Sequence, residues 1–173
     1  MNIDNVKSAI RDIPDFPQKG VIFKDITPVL ANPVLFKAAV DVLAERHLKG
    51  KIDKVAAVDA RGFIFGAAMA MKLKAGFIPV RKKGKLPYKT IEQSYDLEYG
   101  SATICMHVDA IKPGETILIV DDLLATGGTA AATAAMIEKL GGKIVELAFL
   151  IELAFLKGRA KLANYPVFSA IVF

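Results

Sequence analysis

Two adjacent carboxylates, Asp121 and Asp122, stand just before the turn Thr126-Gly127-Gly128-Thr129. An apolar, β-rich run from Thr116 to Val120 precedes the acids, and an alanine-rich stretch closed by Gly141-Gly142 follows the turn. The order predicts a buried strand, two acids, a glycine turn and a helix start. A helix start offers unpaired backbone N–H groups and a positive dipole end to an anion. Gly127 and Gly128 would let the backbone approach that anion with no Cβ in the way. The carboxylates suit a different partner: they can accept hydrogen bonds from sugar hydroxyls or help hold hydrated Mg²⁺. A phosphate on one side and a hydroxylated, metal-associated group on the other suggest a sugar phosphate. The plainer alternative is a strand–turn–helix with an aspartate cap and turn glycines.

Two further segments carry charge at strand ends. Val58-Asp59-Ala60-Arg61-Gly62 repeats the strand, acid, turn, helix order, and Arg61 there could fork onto a phosphate. If the strands are parallel, Arg61 lies on the same side as the Asp121-Asp122 loop. Arg81-Lys82-Lys83-Gly84-Lys85 concentrates cations after another short apolar run. Such a cluster is either a solvated face or an anion-binding edge.

These residues need elements to hold them. Residues 2–12 read as a short amphipathic helix. Asn32-Pro33 is a good cap and first-turn pair for a helix over 33–48 that Gly50 ends. Strands are expected at 55–58, 77–80, 101–108, 116–120, 144–151 and 167–172, with helices at 62–74 and 128–140. Residues 15–28 read as irregular but apolar. Residues 81–100 show little sustained period, and a long stretch of that kind is often a functional lid. Strands alternating with helices predict an α/β fold with a largely parallel twisted sheet flanked by helices. The chain is 173 residues long and 53% hydrophobic, which fits one domain over 1–173 with a substantial core. Neither a dinucleotide-binding glycine fingerprint nor a P-loop is present.

Composition narrows the partners. The net charge of +5 suits a polyanionic small substrate as well as a nucleic acid. The basic cluster lacks interleaved aromatics, so no nucleic acid is expected. The N-terminal residues do not resemble a signal or transit peptide, and the longest apolar run, around 144–156, is broken by Glu146 and Glu152. No membrane association is expected. The single cysteine, Cys105, fits a reducing, cytoplasmic setting and reads as core filler. His47 and His107 form no metal-ligand pattern with it.

The segment DDLLATGGT resembles the phosphoribosyl pyrophosphate (PRPP) signature of the type I phosphoribosyltransferase family, in the form carried by its adenine-specific branch. ARGF at 60–63, RKKGKLP at 81–87, SYDLEYG at 94–100, FPQKGVIFKDITP at 16–28, KGR at 157–159 and YPVFS at 165–169 resemble that branch's other blocks, in order along nearly the whole chain. The resemblance implies a hood at about 13–30, a flexible lid loop at about 81–100 and a PRPP loop at 120–129.

It also implies roles. Asp121, Asp122, Ala125, Thr126, Gly127, Gly128 and Thr129 would hold the ribose and 5′-phosphate. Asp59, Ala60, Arg61, Arg81, Lys82 and Lys85 would meet the pyrophosphate. Ile22, Phe23, Lys24 and Leu123 would enclose adenine, Phe23 and Leu123 by their faces and Ile22 and Lys24 by their backbones. Glu98 would move a proton on the base, and with Arg61 it forms the expected catalytic pair. Mg²⁺ would bind mainly through PRPP and water, with Asp121 and Asp122 as candidate ligands. A cis peptide at Asp59–Ala60 and a homodimer are further implications. The implied reaction is adenine plus PRPP giving AMP and pyrophosphate. Alternatives are a transferase for another base or a non-catalytic PRPP sensor on the same fold. The chain departs from the branch in having Lys24 where arginine is common and in the sequence GSATICMHVDA after the lid.

Overall fold

The computed structural model describes residues 3–96 and 100–173. In chain order the elements are α1 (Ile3–Ala9), β1 (Arg11–Pro14), β2 (Ile22–Asp25), α2 (Thr27–Ala31) and α3 (Pro33–Ala44). They continue with β3 (Lys54–Val58), α4 (Arg61–Leu73), β4 (Gly76–Lys82), β5 (Thr90–Asp96), β6 (Ser101–His107) and β7 (Thr116–Leu124). The last are α5 (Gly128–Lys139), β8 (Lys143–Glu152) and β9 (Val167–Val172), with short 3₁₀ turns at 45–47, 154–156 and 158–162.

Seven strands form one sheet in the order β5-β6-β4-β3-β7-β8-β9. The five from β4 to β9 are parallel to their neighbours, and β6 and β5 extend the β4 edge as antiparallel strands. From β3 the chain moves first outward to β4 and later back to β7 on the other side. This reversal opens a crevice beyond the carboxyl ends of β3 and β7, where α/β sheets bind ligands.

The central strands are buried on both faces, which explains their continuous apolar runs. Val55, Leu118, Val120 and Leu150 pack with α3 and α4. Ala56, Ile117, Ile119 and Phe149 pack with the small residues of α5, including Ala130 and Ala134. The Asn32 side chain accepts hydrogen bonds from the N–H groups of Val34 (3.0 Å) and Leu35 (3.2 Å), which fixes the start of α3 as its sequence predicts. Among the described residues no helix is long and apolar enough to cross a membrane.

Three sequence expectations change. The helix expected over 2–12 is shorter, because residues 11–14 turn away to pair with β2, with Ile13 opposite Phe23 and an Arg11–Asp25 ion pair of 2.9 Å. The irregular 15–28 segment contains β2 and the start of α2. Within the stretch 81–100, β4 runs to Lys82 and Thr90–Asp96 forms β5, all of which pairs with β6. β5 is an edge strand whose Glu92, Ser94 and Asp96 are exposed. Its inward period of two rests on Ile91, Gln93 and Tyr95, too polar a set to stand out as a strand in sequence.

Candidate active site

The carboxyl ends of β4, β3 and β7 deliver the charged residues to one cavity of about 350 Å³. Its lining includes Asp59, Ala60, Arg61, Lys82, Asp121, Asp122 and Thr129. A second, smaller hollow of about 80 Å³ is walled by Asp121 and by the loop and helix start from Ala125 to Ala130. Asp121 lines both, so the two are neighbouring parts of one site.

The smaller hollow has the form of an anion cradle. Gly127 turns the chain with φ +77°, a conformation that disfavours a side chain, and among the described residues no side chain caps α5. The first N–H groups of α5 therefore face the hollow with no side-chain cap among the described residues. Thr129 donates its hydroxyl to Tyr95 Oη at 3.0 Å.

The acids lie within β7 rather than after it, since the strand runs on to Leu124. The Asp122 backbone N–H donates to Asp121 Oδ1 at 2.9 Å. Helix α4 starts so close that a Cβ on Gly62 would lie 2.6 Å from Asp121 Oδ1. Burial, then the neighbouring Asp122 charge, pushes the Asp121 carboxyl well above the usual carboxylate range. Burial also raises Asp122, with the Arg61 charge the largest opposing influence. Arg61 Nε lies 2.9 Å from Asp122 Oδ2, an ion pair at contact distance. The pair is not aligned as a hydrogen bond: among the described residues, Arg61 Nη1 and Asp122 Oδ2 are buried with no hydrogen-bond partner. Buried polar atoms left in this way need a partner, and a ligand is the natural one.

The Asp59–Ala60 peptide bond is cis, as the resemblance implies. Asp59 accepts from Arg81 Nε at 2.8 Å, and Arg81 Nη1 donates to the Lys85 carbonyl at 3.0 Å. Arg81 thus ties the end of β4 to the β3 loop and to the 83–89 turn. Lys82 faces the cavity, whereas Lys85 is exposed on the turn and is not part of the lining.

Residues 16–23 meet this site through aromatics. Phe23 stacks edge-on with Phe16 at 5.1 Å between ring centroids, and the Arg61 guanidinium lies 4.9 Å from the Phe23 ring centre. Ile22 is exposed beside it. The Lys24 side chain turns to Asp12 (2.7 Å) and the Phe173 ring (3.9 Å), leaving the backbone of 22–24 as the candidate base reader. Leu123 packs against the core face that carries α3 and α4. Glu98 lies outside the described residues. Tyr95 is a cavity-lining residue that sequence reasoning missed. Its signal was its place in the SYDLEYG block and the alternation with Ile91 and Gln93.

The family model for the phosphoribosyl transferase domain matches residues 25–169. An adenine phosphoribosyltransferase of Geobacter metallireducens is 56% identical over 99% of this chain and 100% of its own. The crystal structure of adenine phosphoribosyltransferase from Thermoanaerobacter pseudethanolicus superposes with a TM-score of 0.96 at 50% identity, covering 99% of this chain and 100% of that one. The Saccharomyces cerevisiae adenine phosphoribosyltransferase, solved with an imino-altritol bisphosphate and adenine, gives 0.92 at 42% identity and 97% coverage of each chain. A glycine-turned anion cradle, two acids and a facing arginine thus sit on a fold shared along its full length with these enzymes, and the chain belongs to the phosphoribosyltransferase family, in its adenine phosphoribosyltransferase branch.

Proposed function

We propose that this protein transfers the 5-phosphoribosyl group from PRPP to adenine, giving AMP and pyrophosphate. The observation that carries the reading is the placement of the Gly127-Gly128 cradle and the Asp121-Asp122 pair at the end of β7, facing Arg61 at the end of β3. Full-length similarity to adenine phosphoribosyltransferases supports the choice of base.

In the reaction adenine N9 attacks the anomeric carbon, the bond to pyrophosphate breaks, and the base gives up a proton. Positive charge builds on the ribose as in other glycosyl transfers. The start of α5 holds the 5′-phosphate, which fixes the sugar for in-line attack. Asp121 and Asp122 accept hydrogen bonds from the ribose hydroxyls. Arg61 turns its unpartnered Nη1 to the pyrophosphate, with Lys82 adding charge. Asp59 and Arg81 hold the β3 loop in shape, and Lys85 contributes from the turn. The base lies against Phe23 and under Leu123, its edge read by the backbone of Ile22 and Lys24. Glu98 takes or gives the base proton.

The described residues contain no cluster of three or more His, Cys, Asp or Glu able to hold a metal ion. A pair of adjacent carboxylates, one with a buried oxygen that no hydrogen bond satisfies among the described residues, fits Mg²⁺ shared with substrate phosphates and water. Mg²⁺ bound in that way would neutralise charge on the departing pyrophosphate.

The protein acts as a homodimer. Supporting this, α4 exposes Ile64, Ala67 and Met71 on one stripe beside Phe77, with Met71 82% exposed. A second copy laid on this stripe would cover it. Met71→Asp should shift the sedimentation coefficient from dimer to monomer, and an unchanged dimer would place the interface elsewhere.

A panel of adenine, hypoxanthine, guanine and uracil, each with PRPP and Mg²⁺, tests the reaction by pyrophosphate release. Adenine should be used strongly and the 6-oxo bases poorly, because they leave the hood's backbone groups unpaired. Comparable turnover of hypoxanthine would overturn the base assignment. No release with any base would overturn the reaction.

A further inference from the structure

We infer that the turn at 157–159, clamped by an Arg159–Glu152 ion pair, is a positioning element that sets the phosphate loop's affinity for the 5′-phosphate. The inference rests on the substrate reading above. The turn lies about thirty residues beyond the loop in sequence, yet the two backbones touch. A Cβ on Gly127 would sit 2.4 Å from the Gly158 carbonyl oxygen. A Cβ on Gly158 would sit 2.2 Å from the Ala125 carbonyl oxygen and 3.1 Å from the Gly127 nitrogen. No side chain fits between them, so the position of the turn dictates that of the loop.

The turn is itself held firmly. Lys157 takes the left-handed conformation, φ +54°, bringing Gly158 round to the loop. Arg159 Nε lies 2.9 Å from both carboxylate oxygens of Glu152, and its Nη1 donates to the Val167 carbonyl at 3.0 Å. Glu152 is buried at the end of β8, directly opposite Leu124 at the end of β7. The clamp therefore anchors the turn to the strand pair from which the phosphate loop emerges. A cradle of backbone N–H groups binds an anion only when its donors converge, so a loop free to move outward loses affinity rather than chemistry.

Arg159→Met, Arg159→Lys and Gly158→Ala test this, with ribose 5-phosphate and adenine binding measured by calorimetry and AMP formation by single turnover. Affinity for ribose 5-phosphate should fall about tenfold or more in Arg159→Met and Gly158→Ala, and less in Arg159→Lys. Adenine affinity and the single-turnover rate at saturating PRPP should stay within about twofold of wild type. Should Gly158→Ala fail to fold, the two Arg159 variants carry the test. Unchanged ribose 5-phosphate affinity in folded Arg159→Met, or equal losses for both ligands, would overturn the inference while leaving the substrate reading intact. Wild-type protein that fails to bind ribose 5-phosphate would overturn the substrate reading, and the inference with it.

Discussion

Replacing Arg61 with methionine should destabilise the protein in a way that depends on Asp122. The Asp122 side chain is only 6% exposed, and Arg61 Nε at 2.9 Å is its counter-charge. Removing one partner of a fully buried pair costs about 3–5 kcal/mol, because a desolvated charge is left behind. The Arg61 side chain is 36% exposed, so water already screens part of the attraction, and about 1–3 kcal/mol is the appropriate range. Loss of the contact with the Phe23 ring adds about 0.5–1 kcal/mol. Only the first part vanishes when Asp122 is also neutralised. Arg61→Met in an Asp122→Asn background should therefore cost only the smaller, stacking share.

The same pair predicts a pH signature. In the folded protein Asp122 already holds its proton to higher pH than an ordinary carboxyl, because of burial. Above the ordinary range and up to that raised value the folded state binds more protons than the unfolded one. Stability therefore falls as pH rises through this window. Without Arg61 the window extends upward, so the penalty of Arg61→Met should grow with pH and shrink toward the ordinary carboxylate range. Urea denaturation of the four proteins of the cycle, at several pH values and without PRPP, measures both effects. Equal destabilisation by Arg61→Met with and without the Asp122 charge, independent of pH, would refute the pairing.

Other perturbations follow from the same geometry. Asp121→Asn should raise thermal stability at neutral pH, since it removes a carboxylate disfavoured by burial and by Asp122, while weakening PRPP binding measured with Mg²⁺ by calorimetry; lowered stability would contradict the electrostatics. Glu98→Gln should slow single-turnover AMP formation by about 10²–10⁴ with little change in PRPP affinity, and a wild-type rate would leave Glu98 without a catalytic role. Asp53 accepts hydrogen bonds from the Thr116 N–H and hydroxyl, which with Lys51 hold its carboxyl down at about 2 against an ordinary 3.8. Its contribution is present above the ordinary value and lost as pH falls through about 2, so acid unfolding of Asp53→Asn should show a shallower limb there.

The parts of the site that were legible in sequence are those made by consecutive residues. Asp121 to Thr129 form one strand–turn–helix, and a local segment writes its chemistry in spacing alone. Asp59 to Arg61 were legible for the same reason, as was the α3 cap at Asn32. β5 was not, because an edge strand facing water on one side can be polar, and its pairing with β6 supplies what its composition does not. The short α1 was cut by a long-range pairing, Ile13 with Phe23, that overrode a helical pattern.

The least legible features are contacts between glycines distant in sequence. Gly158 lies in the KGR block, but nothing in the sequence says that it touches Ala125 and Gly127. Their meaning is steric and exists only once β7 and β8 lie side by side and bring 125–128 against 157–159. The same holds for Tyr95, whose hydroxyl meets Thr129 because β5 folds back along β6, and whose ring would lie 2.9 Å from any Cβ on Gly128. The proposed phosphate loop is thus shaped by two segments outside its own motif, the 157–159 turn and the β5 edge. A motif names the atoms that meet the ligand, but the sheet order decides how firmly those atoms are held, and affinity depends on both.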